Sequence, residues 1–283
     1  MERTAAHNLT GWLRELSPDH VVCTRLLAAQ CLAHLVAKGV WDRPVWVVVA
    51  DFDCRRLWLN RGVTGYFVAS DEVAFRMRER GPEGARLEVT GIPVMPAFGS
   101  RPDRAACAAE VGMDPGRLTF LMMAGGAGLS SMEDAVGRLL RLPGDFQIVA
   151  LAGHSVELLN RLRRMSAGDR RLFPMGFTHT VERVMACSDV VITKPGGLTT
   201  SECLAAGLPM IVVSQIPGQE ERNADYAAER GAALKAIDEA TLAYRVGRLL
   251  SEPGLLPALR QAAAALGRPG AAGDILRVVL GGP

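Results

Sequence analysis

Short apolar runs alternate with amphipathic segments of helical length along almost the whole chain. The run from Pro44 to Asp51 is continuous and rich in valine, which is typical of a strand covered on both faces. Further runs of this kind lie within residues 20–24, 65–70, 86–93, 118–126, 146–153, 171–177, 189–197, 208–214 and 231–236. The alternation of strands with helices predicts an α/β protein built on parallel sheets.

The alternation is interrupted by the segment from Ile92 to Pro102, which contains prolines at positions 93, 96 and 102. Such a segment is typical of a linker. A chain of 283 residues is long enough for about two domains of ordinary size. We therefore predict two Rossmann-like domains, over residues 1–95 and 96–283.

Charge and cysteine content narrow the class of protein. The net charge is only +2, so the overall electrostatics do not favour nucleic acid as a partner. We interpret the basic stretch from Arg161 to Arg171 as a solvated helix face. The 6 cysteines show neither a CxxC nor a zinc-site spacing, which is typical of a reducing compartment. Without an apolar run of about 18 residues or a signal-peptide core, we predict a cytoplasmic protein, with a membrane surface as a further partner.

Two glycine-rich turns follow predicted strands. Gly125, Gly126 and Gly128 form the first turn, and Gly196 and Gly197 form the second. Glycine lets a ligand approach the backbone N–H groups closely, and the helix that follows adds a partial positive charge. Because ligands of parallel sheets bind at the carboxyl ends of strands, we predict that both turns bind phosphate. A tight loop without a ligand is the alternative for the first turn.

Three hydroxyl side chains and one carboxylate follow the second turn. Thr199, Thr200 and Ser201 can cap the helix or donate to phosphate, and we expect one of them to be a cap. Glu202 has two interpretations: the helix dipole stabilises its charge, or it accepts hydrogen bonds from two ribose hydroxyls. A few backbone amides and a helix end are sufficient to hold a diphosphate without a metal ion.

A run of hydrogen-bonding side chains follows a later predicted strand. It contains Gln219, Glu220, Glu221, Arg222 and Asn223. Such a run is usually a solvated face, but its place one strand beyond the second glycine turn also suits recognition of sugar hydroxyls. Both interpretations are open at this point.

Several segments carry a family resemblance. They read TKPGGLTTSECLAAGLPMIVV, IPGQEERNADY and GGAGL, with DFDCRRLWL, YFVAS and VTGIPV upstream. In this order they resemble the monogalactosyldiacylglycerol synthase and processive diacylglycerol glucosyltransferase family, which is related to the bacterial N-acetylglucosaminyltransferase of peptidoglycan precursors. The resemblance implies a GT-B fold: two Rossmann-like domains, with a UDP-sugar bound by the C-terminal one and the acceptor lipid by a shortened N-terminal one.

The resemblance also implies a donor site and a reaction. The site would comprise Gly125, Gly126, Gly128, Phe177, Gly196, Gly197, Leu198, Thr199, Glu202, Gln219, Glu220 and Asn223. The glycine turns and the amides of residues 197–199 would contact the diphosphate, the backbone around Phe177 would contact the uracil edge, and Glu202 would hold the ribose. The last three residues would contact sugar hydroxyls and phosphate. The reaction would be an inverting displacement, without metal or cofactor, that transfers a hexose from the UDP-sugar to a lipid such as diacylglycerol.

Asp51 is the candidate catalytic residue, because it ends a predicted strand of the first domain and suits a polar role towards the acceptor. The alternative is a carboxylate that caps a loop. With Asp53 it could hold a cation, but the pair lies in the other domain from the phosphate turns. Where the family has the pattern DFDxH, this sequence has Arg55, which stays charged and cannot act as a base near neutral pH. We expect the family's glycine–histidine segment to lie upstream of this sequence.

Other features leave alternatives open. We interpret His34 and His154 as structural residues and consider His179 as a residue at the border of the uracil pocket. The segment from Thr24 to Trp41 is either a core helix or a helix that faces a bilayer. Three functions are compatible with the sequence: a lipid glycosyltransferase, a UDP-sugar-binding module or partner-dependent subunit, and a UDP-sugar epimerase. The epimerase is disfavoured because the segment QEERNAD matches the transferases.

Overall fold

A computed structural model of the chain describes residues 9, 11–81, 84–100, 102–123, 132–213 and 217–281. Internal contacts divide the chain into two units. The first unit comprises Met1–Pro93 and Ala271–Pro283, and the second comprises Val94–Gly270. The predicted ranges 1–95 and 96–283 assign residues 271–283 to the second domain, whereas the contacts of this segment group it with the first unit.

The first unit contains a four-stranded parallel sheet in the order β1-β2-β3-β4. Its strands are β1 (Val21–Cys23), β2 (Val45–Val48), β3 (Gly65–Val68) and β4 (Arg86–Val89). Its helices are α1 (Leu26–Ala37), α2 (Asp71–Arg80) and, from the end of the chain, α12 (Ala271–Val279). Residues 11–16 are also helical, and a short 3-10 helix, Arg56–Trp58, follows β2.

Both faces of the first sheet are buried, because successive side chains of a strand point to opposite faces. One face packs against apolar residues of α1 and α2. On the other face, Trp46, Val48 and Phe67 pack against Ile275 and Val279 of α12. The Trp46 and Phe67 rings stack with their centroids 5.3 Å apart. This arrangement confirms the two-sided burial that the continuous apolar run predicts, and it explains why α12 groups with the first unit.

The second unit contains a six-stranded parallel sheet in the order β10-β9-β8-β5-β6-β7. Its strands are β5 (Leu118–Met123), β6 (Phe146–Leu151), β7 (Leu172–Met175), β8 (Val190–Thr193), β9 (Met210–Val212) and β10 (Ala233–Lys235). Its helices are α3 (Pro96–Gly99), α4 (Arg104–Val111), α5 (Met132–Leu140), α6 (Val156–Ser166), α7 (Val181–Ala186), α8 (Gly197–Ala205), α9 (Gln219–Glu229), α10 (Glu239–Ser251) and α11 (Leu255–Leu266).

The ten strands of the described residues coincide with the apolar runs of the sequence, and both sheets are parallel as predicted. Read from β7, the second sheet has the doubly wound order in which the strand sequence reverses at one point. That point lies between β5 and β8, where Met123 is in register with Thr193. Loops on opposite sides of such a point diverge and leave a crevice at the carboxyl ends of the strands.

The segment predicted as a linker has structure of its own. Pro96–Gly99 forms the short helix α3, with its proline at the first helical turn. The side chains of Ile92 and Phe98 are buried. The boundary between the two units lies in this segment, after Pro93, but apolar packing makes its backbone part of the folded chain rather than an extended connection.

Helix α1 is mainly a core helix, since Leu32 and Leu35 are buried. Leu27, by contrast, is 49 % exposed in its first turn. All six cysteines are free, and five of them are buried, in agreement with the prediction of small apolar side chains. Among the residues that the structure describes, no helix is long and apolar enough to cross a membrane.

Candidate functional site

The predicted donor-site residues follow strands of the second sheet and therefore share its carboxyl edge. The β8–α8 turn lies at the point where the strand order reverses. The first predicted turn, with Gly125, Gly126 and Gly128, follows β5 but lies outside the described residues. The described part of the site therefore consists of the β8–α8 turn, the loop after β7 and the start of α9.

Helix α8 begins without a side-chain cap. Its N-cap is Gly196, in an extended conformation with φ −65° and ψ 145°. The Thr200 N–H donates to the Gly196 carbonyl at 2.8 Å. The N–H groups of Gly197, Leu198 and Thr199 precede this bond and point away from the helix, as in any first helical turn. Together with the positive end of the helix dipole, they can receive an anion.

Other helices of the molecule are capped at the same position. The side chains of Ser70, Asp103, Ser155 and Asp238 accept from backbone N–H groups in the first turns of α2, α4, α6 and α10. The expectation that Thr199, Thr200 or Ser201 caps α8 is wrong, because all three lie inside the helix and glycine occupies the cap position. Ser201 instead donates to the Gly197 carbonyl at 2.9 Å.

Thr200 is fully buried on the side of α8 that also buries Gly197, Ser201 and Leu204. Its hydroxyl oxygen has no hydrogen-bond partner within the part of the chain that the structure describes. An unsatisfied buried hydroxyl destabilises a fold by about 1–3 kcal/mol. The helix that offers open amides at its start therefore also contains an unsatisfied hydroxyl in its first turns.

Glu202 is half-buried and lies beyond the first turn of α8. Burial raises the pKa of its carboxyl above the ordinary glutamate value. A carboxylate stabilised by the helix dipole would show a lowered pKa, so the dipole interpretation is wrong. Leu198 lies four residues earlier, on the same side of the helix, and is exposed. Glu202 is thus a carboxylate that gains from a hydrogen-bond donor outside its own helix.

The loop after β7 carries an aromatic cluster. Phe177 is 51 % exposed, and its ring stacks on His154, with centroids 4.0 Å apart and an interplanar angle of 17°. His179 meets the same ring edge-on, with centroids 4.7 Å apart. The sequence assigned His154 a structural role only, since its contact with Phe177 depends on the adjacency of β6 and β7. A flat, partly exposed ring at this edge can contact a nucleobase.

Helix α9 supplies the remaining predicted residues. Its N-cap is Gly218, whose φ of 98° lies in the left-handed region that favours glycine. Asn223 is fully buried, and Gln219 and Glu220 are half-buried. The solvated-face interpretation is therefore wrong for these three residues, whereas it holds for Glu221 and Arg222, which are exposed. The start of α9 thus places polar groups at the same edge of the sheet as the α8 amides.

The candidate residues of the first unit follow β2. Asp51 is only 3 % exposed. Asp53 pairs with Arg76 of α2, with Oδ1 and Nη1 3.2 Å apart. This ion pair uses a carboxylate oxygen that the cation hypothesis needs, so the structure favours a polar role for Asp51 alone.

Two family models match the chain. The model for monogalactosyldiacylglycerol (MGDG) synthase matches residues 1–94, and the model for the glycosyltransferase family 28 C-terminal domain matches residues 127–263. The first range contains Asp51, and the second contains the β8–α8 turn and α9. The predicted family resemblance is confirmed.

Curated relatives carry the name processive diacylglycerol beta-glucosyltransferase. The one from Bacillus subtilis is 29 % identical over 221 residues, and the one from Staphylococcus carnosus is 32 % identical over 226 residues. These alignments cover 77 % and 80 % of this chain and 57 % of each relative. The chain thus matches little more than half the length of these relatives.

Solved structures share the fold. MurG of Acinetobacter baumannii has a TM-score of 0.69 at 17 % identity, covering 98 % of this chain and 78 % of that one. The UDP-GlcNAc 2-epimerase of Neisseria meningitidis has a TM-score of 0.73 at 14 % identity, covering 99 % and 81 %. The predicted GT-B class with two Rossmann-like parallel-sheet domains is confirmed by this likeness and by the two sheets.

Proposed function

We propose that this chain is an inverting glycosyltransferase that moves a hexose from a UDP-sugar to a lipid acceptor such as diacylglycerol. The observation that carries the proposal is the uncapped start of α8 with Glu202 farther along the same helix. The two family matches, one in each unit, support the choice of an enzyme. The names of the curated relatives support the choice of donor and acceptor.

The donor binds at the carboxyl edge of the second sheet. The N–H groups of Gly197, Leu198 and Thr199 donate to the diphosphate, and Glu202 accepts hydrogen bonds from the ribose hydroxyls. A ribose hydroxyl is the external donor that this half-buried carboxylate lacks in its own helix. The ring of Phe177 lies against the base, and Gln219, Glu220 and Asn223 contact the sugar and phosphate.

The reaction is a direct displacement at the anomeric carbon. A bond forms between the acceptor hydroxyl oxygen and this carbon, while the bond from the carbon to the diphosphate oxygen breaks and UDP leaves. Asp51, a buried carboxylate after β2, accepts the proton of the hydroxyl. The negative charge that develops on the leaving diphosphate is stabilised by the α8 amides and the helix dipole, so the transfer uses neither a metal ion nor a cofactor.

A product assay tests the proposal. The purified chain is incubated with UDP-glucose, UDP-galactose or UDP-N-acetylglucosamine and diacylglycerol vesicles, and the lipids are analysed by mass spectrometry. We expect a hexosyl-diacylglycerol that forms equally with and without EDTA. Asp51→Asn should abolish the product and leave UDP affinity unchanged. Loss of UDP binding on adding EDTA would contradict the metal-independent site.

A UDP-sugar-binding module is the second candidate function. Arg55 favours it, because it occupies the position of the histidine in the family pattern and cannot act as a base. Calorimetry distinguishes the two candidates. UDP binding without lipid product from any of the three donors would support the binding module and contradict the transferase.

A further inference from the structure

Two exposed leucines lie at the carboxyl edge of the first sheet. Leu27 is in the first turn of α1, which follows β1, and Leu57 is in the 3-10 helix that follows β2. Their exposed fractions are 49 % and 48 %. The side-chain amide of Gln30, which lies one turn after Leu27 on the same side of α1, donates to the Leu57 carbonyl at 3.4 Å. The two leucines therefore belong to one region of the surface.

Three exposed arginines flank these leucines along the chain. Arg25 is the N-cap residue of α1, and Arg55 and Arg56 begin the 3-10 helix. We call the surface formed by Arg25, Leu27, Arg55, Arg56 and Leu57 the leucine–arginine edge. An apolar centre bordered by guanidinium groups matches the interface of a phospholipid bilayer, where acyl chains lie below a layer of phosphates.

Nearby acidic side chains offset little of this charge. Asp53 and Glu72 both pair with Arg76, at 3.2 and 3.0 Å. Asp51 is buried, and Asp71, at the start of α2, is exposed one strand farther along the sheet. The leucine–arginine edge is therefore positively charged.

We propose that the leucine–arginine edge docks on a bilayer that contains anionic phospholipid. This inference rests on the proposed function, because a diacylglycerol acceptor resides in a bilayer. The arginines contact lipid phosphates, while Leu27 and Leu57 enter the interface between headgroups and acyl chains. Asp51 follows β2 at the same edge of the sheet, so docking brings the proposed acceptor site to the lipid surface.

Exposed apolar side chains elsewhere in the first unit do not have this setting. Leu16 is 74 % exposed, but its neighbour Glu15 and the nearby Asp19 are acidic. Arg43, which precedes β2, donates to the carbonyls of Ser17 and Pro18, so this region lies near the amino edge of the sheet. Leu16 thus offers a matched control: an exposed leucine on the same unit without arginines beside it.

Vesicle co-sedimentation tests the proposal. Vesicles of phosphatidylcholine alone are compared with vesicles of equal parts phosphatidylcholine and phosphatidylglycerol. We expect binding to the anionic vesicles to be about tenfold tighter and to weaken with salt. The double variant R25E/R56E should lose about tenfold on the anionic vesicles. The double variant L27S/L57S should lose about tenfold on both kinds of vesicle.

Two controls make the test specific. Leu16→Ser should bind like the wild type, and so should R163E/R164E, which makes the same charge change on the exposed face of α6 in the second unit. Equal losses in R163E/R164E and R25E/R56E, or no preference of the wild type for anionic vesicles, would overturn the proposal. Circular dichroism confirms folding, and the arginine variant keeps the test valid if the leucine variant misfolds.

UDP calorimetry on the same preparations separates this inference from the proposed function. The variants of the leucine–arginine edge should bind UDP like the wild type. Specific vesicle binding in a chain that does not bind UDP would support the docking surface and contradict the transferase. UDP binding in a chain that ignores the anionic vesicles would have the opposite meaning.

Discussion

The two ends of strand β8 treat their polar groups differently. At the amino end, Asp189 is 5 % exposed and accepts from the Arg104 guanidinium at 2.9 Å, from the Thr119 N–H at 2.6 Å and from the Arg260 guanidinium. Arg104 also donates to three backbone carbonyls. The protein itself satisfies this carboxylate.

At the carboxyl end, the polar groups have fewer partners of their own. Helix α8 starts without a side-chain cap, the Thr200 hydroxyl is unsatisfied among the described residues, and burial raises the pKa of Glu202. Burial alone therefore does not distinguish a structural polar group from a ligand-binding one. The distinction lies in whether the chain supplies the partner, and the following changes test it from the largest expected effect to the smallest.

Asp189→Ala should destabilise the protein most. It leaves two arginines without their shared carboxylate, and we expect a loss of about 3 kcal/mol in the free energy of unfolding, reduced from the fully buried value because both arginines are partly in water. Denaturant unfolding measures this loss. The control is Asp145→Ala, which removes an exposed partner of Arg117 and should cost well under about 1 kcal/mol. Equal effects of the two variants would show that Asp189 is not a structural anchor.

Glu202→Ala should act on the ligand rather than on the fold. We expect UDP affinity to fall at least about tenfold, since a hydrogen bond to a charged group contributes roughly 1.5–3 kcal/mol. Isothermal calorimetry measures the affinity, with Glu229→Ala on the exposed end of α9 as the control. Unchanged UDP affinity in Glu202→Ala would remove the carboxylate from the donor site.

The same carboxyl should make UDP affinity depend on pH. Because burial raises its pKa, the protonated form is favoured in the folded state. Its contribution to stability is therefore complete below the ordinary glutamate pKa and is lost as the pH rises through the raised value. Ribose binding needs the carboxylate, so UDP affinity should rise over this same range. Glu202→Gln should remove both dependences, and a pH profile equal to that of the wild type would assign them to another group.

Thr200→Val should stabilise the protein by about 1 kcal/mol, because it replaces an unsatisfied buried hydroxyl with a methyl group of similar size. Ser201→Ala provides the opposite case, since it removes the bond to the Gly197 carbonyl and should destabilise slightly. Thermal unfolding compares the two. A loss of stability in Thr200→Val would mean that the hydroxyl has a partner in solution.

Gly196→Ala should have the smallest effect on the fold and a modest one on the ligand. A Cβ at this position would meet nothing within 4 Å, and its φ suits any residue. Stability should therefore rise by about 0.4–1 kcal/mol, while the added methyl group at the mouth of the turn weakens UDP binding. Gly247→Ala in α10 also has open space and should stabilise without changing UDP affinity. Equal UDP affinity in both variants would contradict a phosphate at this turn.

The sequence predicts most of the fold because each strand is a continuous apolar run bounded by polar or glycine residues. The run from Pro44 to Asp51 also predicts that both sheet faces are covered, although it does not identify the helix that covers the second one. The apolar pattern of α12 shows a helix with a buried side, but the partner of that side depends on the path of the chain. The predicted ranges therefore place residues 271–283 in the second domain.

The sequence also identifies the strand-to-helix turns of the site, since glycine clusters are local features. It does not predict contacts between distant residues. Asp189 lies 85 residues from Arg104 and 71 from Arg260, and His154 meets Phe177 only because β6 and β7 are neighbours. The role of Thr200 depends on helical phase: a shift of one position would turn its hydroxyl away from the sheet.

The route of the chain sets an order for its synthesis. The second unit is one continuous stretch, Val94–Gly270, inserted into the first. The ribosome therefore completes this whole stretch before it releases Ala271–Val279, which covers Trp46, Val48 and Phe67. Until then the nascent first sheet shows water an aromatic surface, the kind that chaperones recognise, and its maturation waits for the last turns of the polypeptide.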